Sequence, residues 1–532
     1  MRPPLPSPRL LLSSLAVVFA AATGAAQTLD DVIRYSEVNP FGTARSLGTA
    51  NSMAAIGADW TAVQGNPAGL AAFRSNEFTI TLGGLLRGTS DATLDDDPGT
   101  FSDVDARFAL PQLALVFTTQ PIGSRWTQLN FGFGVSQTNR FEENIAFDGT
   151  TPGSVSDFFL EEALGEVVDG QYIFNPYGLV DLENGQFPAA LALQAGVILD
   201  DPNNPNAPFF TDYRFVDDSG LYNFGEPINK RGKVERKGHL ASFDFSAAGN
   251  YEDKLQVGAT IGIVSSSFEE LNRLVETDRD DAVDFFDRLD YRRTITIDGT
   301  GILARVGASY RFSQALRLGL AYHSPTFTAF TDNLSEAIDY RYTEDDMQLG
   351  GDAATTQADV LEYNVITPSQ YRVSLASVLG QRGFVSAEVG YINYAGAKVR
   401  YGDDVEGGDD FEEIYDELVA DNLNSAVQLR LGGELNVRPL QVRAGFEYLG
   451  APIDGEDAAL GFAAGVGFRQ NRLALDLGYK LSVRPDRVYR PYTVQSDATA
   501  LPINELFQQP EVRYTPTLSM LALTLGWKLT RL

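Results

Sequence analysis

The sequence predicts an all-β protein: a 14-stranded antiparallel transmembrane β-barrel, its lumen plugged by an N-terminal hatch, with small helices in the extracellular loops. Three observations predict it. Segments of about ten residues alternate apolar with small or polar side chains, the period of a wall greasy on one face only. Their connections alternate between tight turns and long polar loops, as in outer-membrane barrels. Charged residues inside the segments keep to the parity opposite the apolar ones.

In chain order, residues 1–26 read as a secretory signal: Arg2 and Arg9, an apolar Leu10–Ala22, then Gly24-Ala25-Ala26 before Gln27. Residues 27–74 are the expected hatch, and residues 75–532 the barrel with its loops. Between Ala44 and Ala72 the hatch is rich in small residues. Gly48, Gly57 and Gly65 are too close for one long helix, and Pro67 stops any helix and pushes Asn66 towards an extended or turn conformation.

Strands follow at Glu77–Leu86, Leu110–Thr118, Thr127–Thr138, Leu240–Gly249, Leu255–Val264, Gly301–Phe312 and Leu316–Phe327. Seven more lie at Gln370–Leu379, Phe384–Tyr394, Val427–Val437, Leu440–Tyr448, Leu460–Phe468, Leu473–Val483 and Leu518–Leu529. Thr127–Thr138 shows the rhythm best: Leu129, Phe131, Phe133 and Val135 share one face, Asn130, Gly132, Gly134 and Ser136 the other. Tight turns near 121–125, 251–254, 313–315, 380–383, 438–439 and 470–472 alternate with loops that are mostly long, the largest at about 140–237.

A lipid-facing Arg or Lys at the midplane costs roughly 2–4 kcal/mol. Arg305, Arg317, Arg430, Arg443 and Lys480, each opposite in parity to its apolar neighbours, are therefore expected to face the lumen, with Asp244, Glu434, Glu447 and Asp476. They are candidates for structural pairing between wall and plug, or for gripping a ligand carboxylate, a task suited to Arg. In the largest loop, 155–168 and 187–199 are apolar enough for two helices. Phe158, Phe159, Leu164, Leu191 and Leu193 either pack together or line a groove.

Composition narrows the function. The formal charge of -30 disfavours nucleic acid as a partner. The acids gather at 91–97, 278–290, 336–346 and 403–417, which read as solvated loops without EF-hand spacing. Zero cysteines exclude thiol chemistry and disulfides, and the two histidines, His239 and His323, have no Ser/Asp partner spacing. No phosphate loop or metal-ligand motif appears, so neither enzyme activity nor a cofactor is expected.

The block ARSLG…GADWTAVQGNPAGLA at Ala44–Ala72, with Asn66-Pro67-Ala68, resembles the hatch of the FadL/TodX family of outer-membrane transporters for long-chain fatty acids and hydrocarbons. LGLAYHSP at Leu318–Pro325 resembles that family's strand ending in Tyr-x-Ser-Pro, and FAAGVGF with LALDLGY its late hairpin; the terminal Leu532 departs from the Phe that ends many such barrels. The resemblance implies a monomer in the outer-membrane lipid of a Gram-negative cell, taking a hydrophobic small molecule without energy input. It further implies capture on apolar loop helices and a lateral opening near a kinked strand, for which Gly132 and Gly134 in the third strand are the candidates. FadL-like barrels that serve protein secretion, such as the type IX shuttle, are the alternative.

Overall fold

The computed structural model describes residues 29–529 except 30, 38, 96–100, 165, 169–170, 174–187, 201–208, 214–225, 281–282, 284, 345–346, 355–358, 403–407, 454 and 494–509. The expected signal segment lies outside the described residues. Fourteen strands close into an antiparallel ring. They are β1 (Glu77–Leu94), β2 (Phe101–Thr119), β3 (Trp126–Arg140), β4 (Ile228–Tyr251), β5 (Leu255–Thr277) and β6 (Phe286–Arg311). The next three are broken: β7 (Leu316–His323 and Phe327–Glu344), β8 (Asp359–Ile366 and Gln370–Val378) and β9 (Gly383–Asn393 and Lys398–Tyr401). β10 (Ser425–Val437), β11 (Leu440–Leu449), β12 (Ala459–Gln470), β13 (Leu473–Val483, then Arg487–Tyr489) and β14 (Val512–Lys528) complete it.

Closure is the pairing of β1 with β14, from Glu77 opposite Lys528 to Leu94 opposite Val512. Both ends of the barrel chain therefore lie at the short-turn end. The breaks in β7 and β8 fall at Pro325 and Pro368, residues with no N–H to give a ladder, and Thr326 and Thr367 bond to each other across them.

Burial is inside out. Phe131, Phe245, Ile261, Leu320, Val385, Val442, Phe462 and Leu523 are exposed on the outer wall, while Gln128, Asn130, Asn250, Arg430, Glu447 and Lys480 are buried. On β6 the outward residues Ile302, Ala304, Val306, Ala308 and Tyr310 lead to Phe312 just past its end, whereas Thr300 and Asp298 continue upward as exposed polar groups. At about 3.3 Å per residue and a tilt near 40°, the run from 302 to 312 spans roughly 25 Å, the height of a barrel's apolar band. A surface of this kind belongs in lipid, and the protein is an outer-membrane β-barrel.

The ring has the expected 14 strands, but several are much longer than the hydrophobic rhythm showed. β4, β5 and β6 run for 24, 23 and 26 residues and rise well above the band. The largest loop accordingly ends at β4, beginning at Ile228, and it contains an extra strand, Glu143–Thr151, paired with the outer half of β4. The acidic stretch at 336–346 is largely strand, and much of 403–417 is helical.

Val306→Arg, in mid-band, is expected to cost roughly 2–4 kcal/mol, while Asp298→Arg, above the band, should cost no more than about 1 kcal/mol. Urea titration of the protein folded into vesicles measures both.

Candidate functional site

The N-terminal segment lies inside the ring. It holds a helical turn at residues 31–36, then α1 (Ala44–Leu47), α2 (Trp60–Gly65) and a 3-10 turn at Pro67–Ala72. Thr43 and Asp59 cap α1 and α2, and the Asp59 carboxylate accepts from the Thr43 hydroxyl at 2.7 and 2.9 Å, tying the two helix starts together. Contacts reach strands from every side of the ring. Ala44 N–H donates to Thr524 of β14 and Thr61 to Gln112 of β2. Gln64 donates to Asp244 of β4, and Ser52 shares a hydrogen with Ser386 of β9.

Asn66-Pro67-Ala68 has a defined seat. Pro67 opens the 3-10 turn, where its missing N–H costs nothing. Asn66 stays extended, accepts from Ala68 N–H through Oδ1 at 3.0 Å, and donates through Nδ2 to Ser309 Oγ at 3.2 Å. The wall opposite is bare glycine. A Cβ at Gly307 would lie 2.0 Å from Asn66 Oδ1, and one at Gly258 2.5 Å from the Pro67 carbonyl oxygen. Only a wall without side chains lets the turn approach this closely.

Gly132 and Gly134 do a similar job. Both face inward, and a Cβ on either would lie 2.7 Å from the buried Trp60 ring. Their ladder to β2 is unbroken, Gly132 opposite Val116 and Gly134 opposite Ala114. They therefore make room for the plug rather than kink the wall. The irregularities of β3 lie near its two ends, between Trp126 and Gln128 and between Gln137 and Asn139. Beyond Gln112 opposite Ser136, β2 loses β3 as a partner; its ladder to β1 is interrupted at Leu110 and Pro111 and resumes at Ala109 opposite Gly83. Pro111, next to Gln112, marks the point of separation. Past that point β3 keeps its ladder to β4 up to Arg140 opposite His239, and Phe141, just beyond its end, is buried.

All five basic residues expected to face the lumen do so. Arg305 pairs with Asp244 at 2.9 Å. Arg430 bridges Glu447 at 2.7 Å and Glu388 at 3.4 Å, and Lys480 reaches Glu447 at 2.8 Å and Asn39 of the plug at 2.6 Å. Arg443 bridges Glu434 and Asp476, both at 2.8 Å, and Arg45 of the plug makes a two-toothed contact with Glu434 at 2.8 and 3.0 Å. Arg317 donates to the Ile56 carbonyl of the plug at 3.2 Å. Arg45, Arg372 and Glu388 went unread in the sequence. Parity would have found the last two, since Arg372 sits between outward Tyr371 and Val373, and Glu388 next to outward Val389.

Two regions of the lumen border the N-terminal segment. One is a polar cavity of about 60 Å³ bordered by Gln64, Arg305, His323, Gln370 and Arg372, room for roughly two waters. His323 bonds the Gly65 carbonyl at 3.1 Å, and Arg372 binds Glu388 at 2.9 Å. The other is apolar and aromatic. Tyr35 stacks on Phe330 at 4.2 Å and meets Phe141 edge-on at 5.8 Å, with Phe268, Tyr363, Ile295 and Ile297 in the same cluster. Residues 31–36 thus fill the space with Val32 and Tyr35. Tyr415 and Val419 of the loop helix Gly408–Asn422 close the cluster. Hydrogen bonds from Arg400 hold that helix's Asp416 carboxyl below the usual carboxylate range.

The outer loop helices, α3 (Val155–Leu164) and α4 (Pro188–Ala195), pack together rather than line a groove. Phe159 and Leu191 are wholly buried in one cluster with Ile145, Phe147, Tyr213 and Tyr291, Phe158 packs against it, and Leu193 is half-buried. The Leu164 side chain lies outside the described residues. Ser154 caps α3: its Oγ accepts from Ser156 N–H at 3.1 Å, and Glu276 of β5 accepts from Val155 N–H at 3.0 Å. Asp95 apart, the aspartates of the acidic runs 95–97 and 403–404 lie outside the described residues, and among the described residues no group of carboxylates and histidines could hold a metal.

Gly307→Val should expel Asn66 from its seat and release the plug. Planar-bilayer recordings are expected to show new ion conductance, whereas Gly84→Val, on β1 with open space around its Cα, should stay closed. Glu434→Gln leaves Arg45 and Arg443 facing each other, at a cost of about 3–5 kcal/mol in the same vesicle titration.

No family model and no curated protein matches the chain. Solved structures do. A Pseudomonas aeruginosa FadL homologue aligns over 92% of this chain and 98% of its own, at 13% identity and a TM-score of 0.50. The P. putida toluene transporter TodX aligns over 93% and 100%, at 13% identity and 0.48, and the monoaromatic hydrocarbon channel CymD over 93% and 99%, at 13% and 0.44. With its 14 strands, its short turns at one end and its N-terminal segment inside the ring, the chain has the fold of the FadL-type outer-membrane barrels.

Proposed function

We propose that this barrel carries hydrophobic compounds, long-chain fatty acids among them, inward across the outer membrane, with residues 27–74 as the hatch. The observation that carries the reading is the filled lumen: an aromatic cluster packed on residues 31–36, a small polar cavity between the N-terminal segment and the wall, and the seated Ala44–Ala72 stretch. A diffusion pore needs an open bore, and this one is shut to water-borne solutes. An acyl chain entering the aromatic compartment gains about 0.8 kcal/mol per methylene buried, enough to bind without an energy source. Passage is then a population shift between plug positions. The exit we favour is the wall interruption where β2 parts from β3 at Pro111.

Arg305 and Arg372 beside the cavity suit the carboxylate end of a fatty acid. A charge-assisted hydrogen bond contributes about 1.5–3 kcal/mol, so Arg372→Gln is expected to weaken oleate binding roughly 10- to 100-fold while leaving binding of a long-chain alkane unchanged. Tryptophan fluorescence titration of the purified protein measures both. For transport itself, deletion should impair growth on fatty acids or hydrocarbons as sole carbon source. Normal growth together with failed surface delivery of exported proteins would instead identify a secretion barrel.

A further inference from the structure

Charge is distributed unevenly along the barrel axis. The chain carries 71 acids against 41 bases, yet at the six short turns the ratio reverses. Their acids are Glu252 and Asp253 alone, in one turn, and both are paired, with Arg125 and Arg74. Four of the five turns from β4–β5 to β12–β13 bring a base, Lys254, Arg382, Arg438 and Arg472, and Arg311 ends β6 beside the fifth; none has a carboxylate partner among the described residues. All but the half-buried Arg311 are exposed. Lipid-facing side chains adjoin them: Phe312, Leu379, Val437 and Leu440 are each at least half exposed. The cations therefore stand where the apolar band meets the periplasm.

We infer that this basic hem binds anionic glycerophospholipids of the periplasmic leaflet through their phosphates. Spacing favours lipid over an acidic protein. Neighbouring strands lie about 4.8 Å apart, so successive turns bring a cation roughly every 10 Å along the rim. The row follows more than half of a curved perimeter, which a lipid annulus covers and a single docking face does not. Guanidinium groups match phosphate oxygens in geometry and charge. Near an anionic leaflet each such residue strengthens attachment roughly fivefold.

The test is native mass spectrometry of the full-length protein extracted from vesicles of equal phosphatidylglycerol and phosphatidylethanolamine. Retained phosphatidylglycerol should exceed phosphatidylethanolamine at least roughly fivefold. The excess should vanish in R311Q/R382Q/R438Q/R472Q, whose barrel still shows the heat-dependent gel shift, and persist in R279Q, on the opposite rim. In wild-type protein it should collapse in about 0.5 M salt, where screening acts within a few Å. Equal retention of both lipids by wild-type protein, an excess that survives in the fourfold variant, or one indifferent to salt would each overturn the inference. So would capture of an acidic periplasmic protein by the hem without any lipid preference.

Discussion

No water reaches the hydrocarbon of a membrane, so every backbone N–H and C=O crossing it must find a partner in the protein. The β1–β14 ladder meets that condition, and the rest follows from it. A ring has no edges, but it has an inside. Side chains that alternate across the wall send one half into that inside, and here the inward half is Gln128, Asn130, Asp244, Arg430, Glu447 and their neighbours. Polar groups enclosed in this way need partners, which the opposite wall is too far away to provide. The N-terminal segment is the closing piece, because it brings hydrogen-bonding groups within reach of all sides at once.

Charges decide where that piece sits. A buried ion pair gains little over a well-packed apolar pair, since desolvation offsets the Coulomb attraction, but breaking one is costly. Such pairs are poor glue and good registers. Arg45 meets Glu434 between β10 and β11, and Asn39 meets Lys480 on β13. Neither residue can slide along the wall without stranding a charge. The glycine notch at 258 and 307 adds a steric register on the opposite side of the lumen, and Trp60 over Gly132 and Gly134 adds a third.

The period-2 rhythm placed all 14 strands, because inside the band one face is lipid and the contrast is strong. It ended the strands too early for the same reason. Above the band the outward face meets water and the inward face meets apolar packing, so the parity reverses: on β6 Ile295 and Ile297 are buried while Asp298 and Thr300 face out, and a search for greasy outward residues stops short. Parity also identified the lumen charges, and it would have included Arg372 and Glu388 had it been applied to every strand. Glycine was harder to interpret. A glycine in a strand can mark a kink or admit a neighbour, and sequence offers no sign of the neighbour when, like Trp60, it lies some 70 residues away. The apolar loop helices posed the same choice between mutual packing and an open groove, and Phe159 and Leu191 fell to packing.

The parts of the plug differ in what holds them. Ala44–Ala72 is locked by ion pairs, caps and glycine seats, tightly enough to keep Ala50, Asn51 and Ala58 at positive φ of 52°, 58° and 53°, a conformation costing about 1–2 kcal/mol for an ordinary L residue. An apolar ligand offers no replacement for those polar contacts. Residues 31–36, by contrast, occupy the aromatic compartment largely through Val32 and Tyr35, packed on Phe330, Phe141 and Phe268. A hydrophobic guest replaces those apolar contacts like for like, leaving the hydrogen bonds from Tyr363 to Asp31 at 3.1 Å and from Asn139 to the Arg34 carbonyl at 3.3 Å to break, and the 60 Å³ polar cavity is too small to accept it first. In the transport we propose, competition with residues 31–36 therefore precedes any movement of the seated plug.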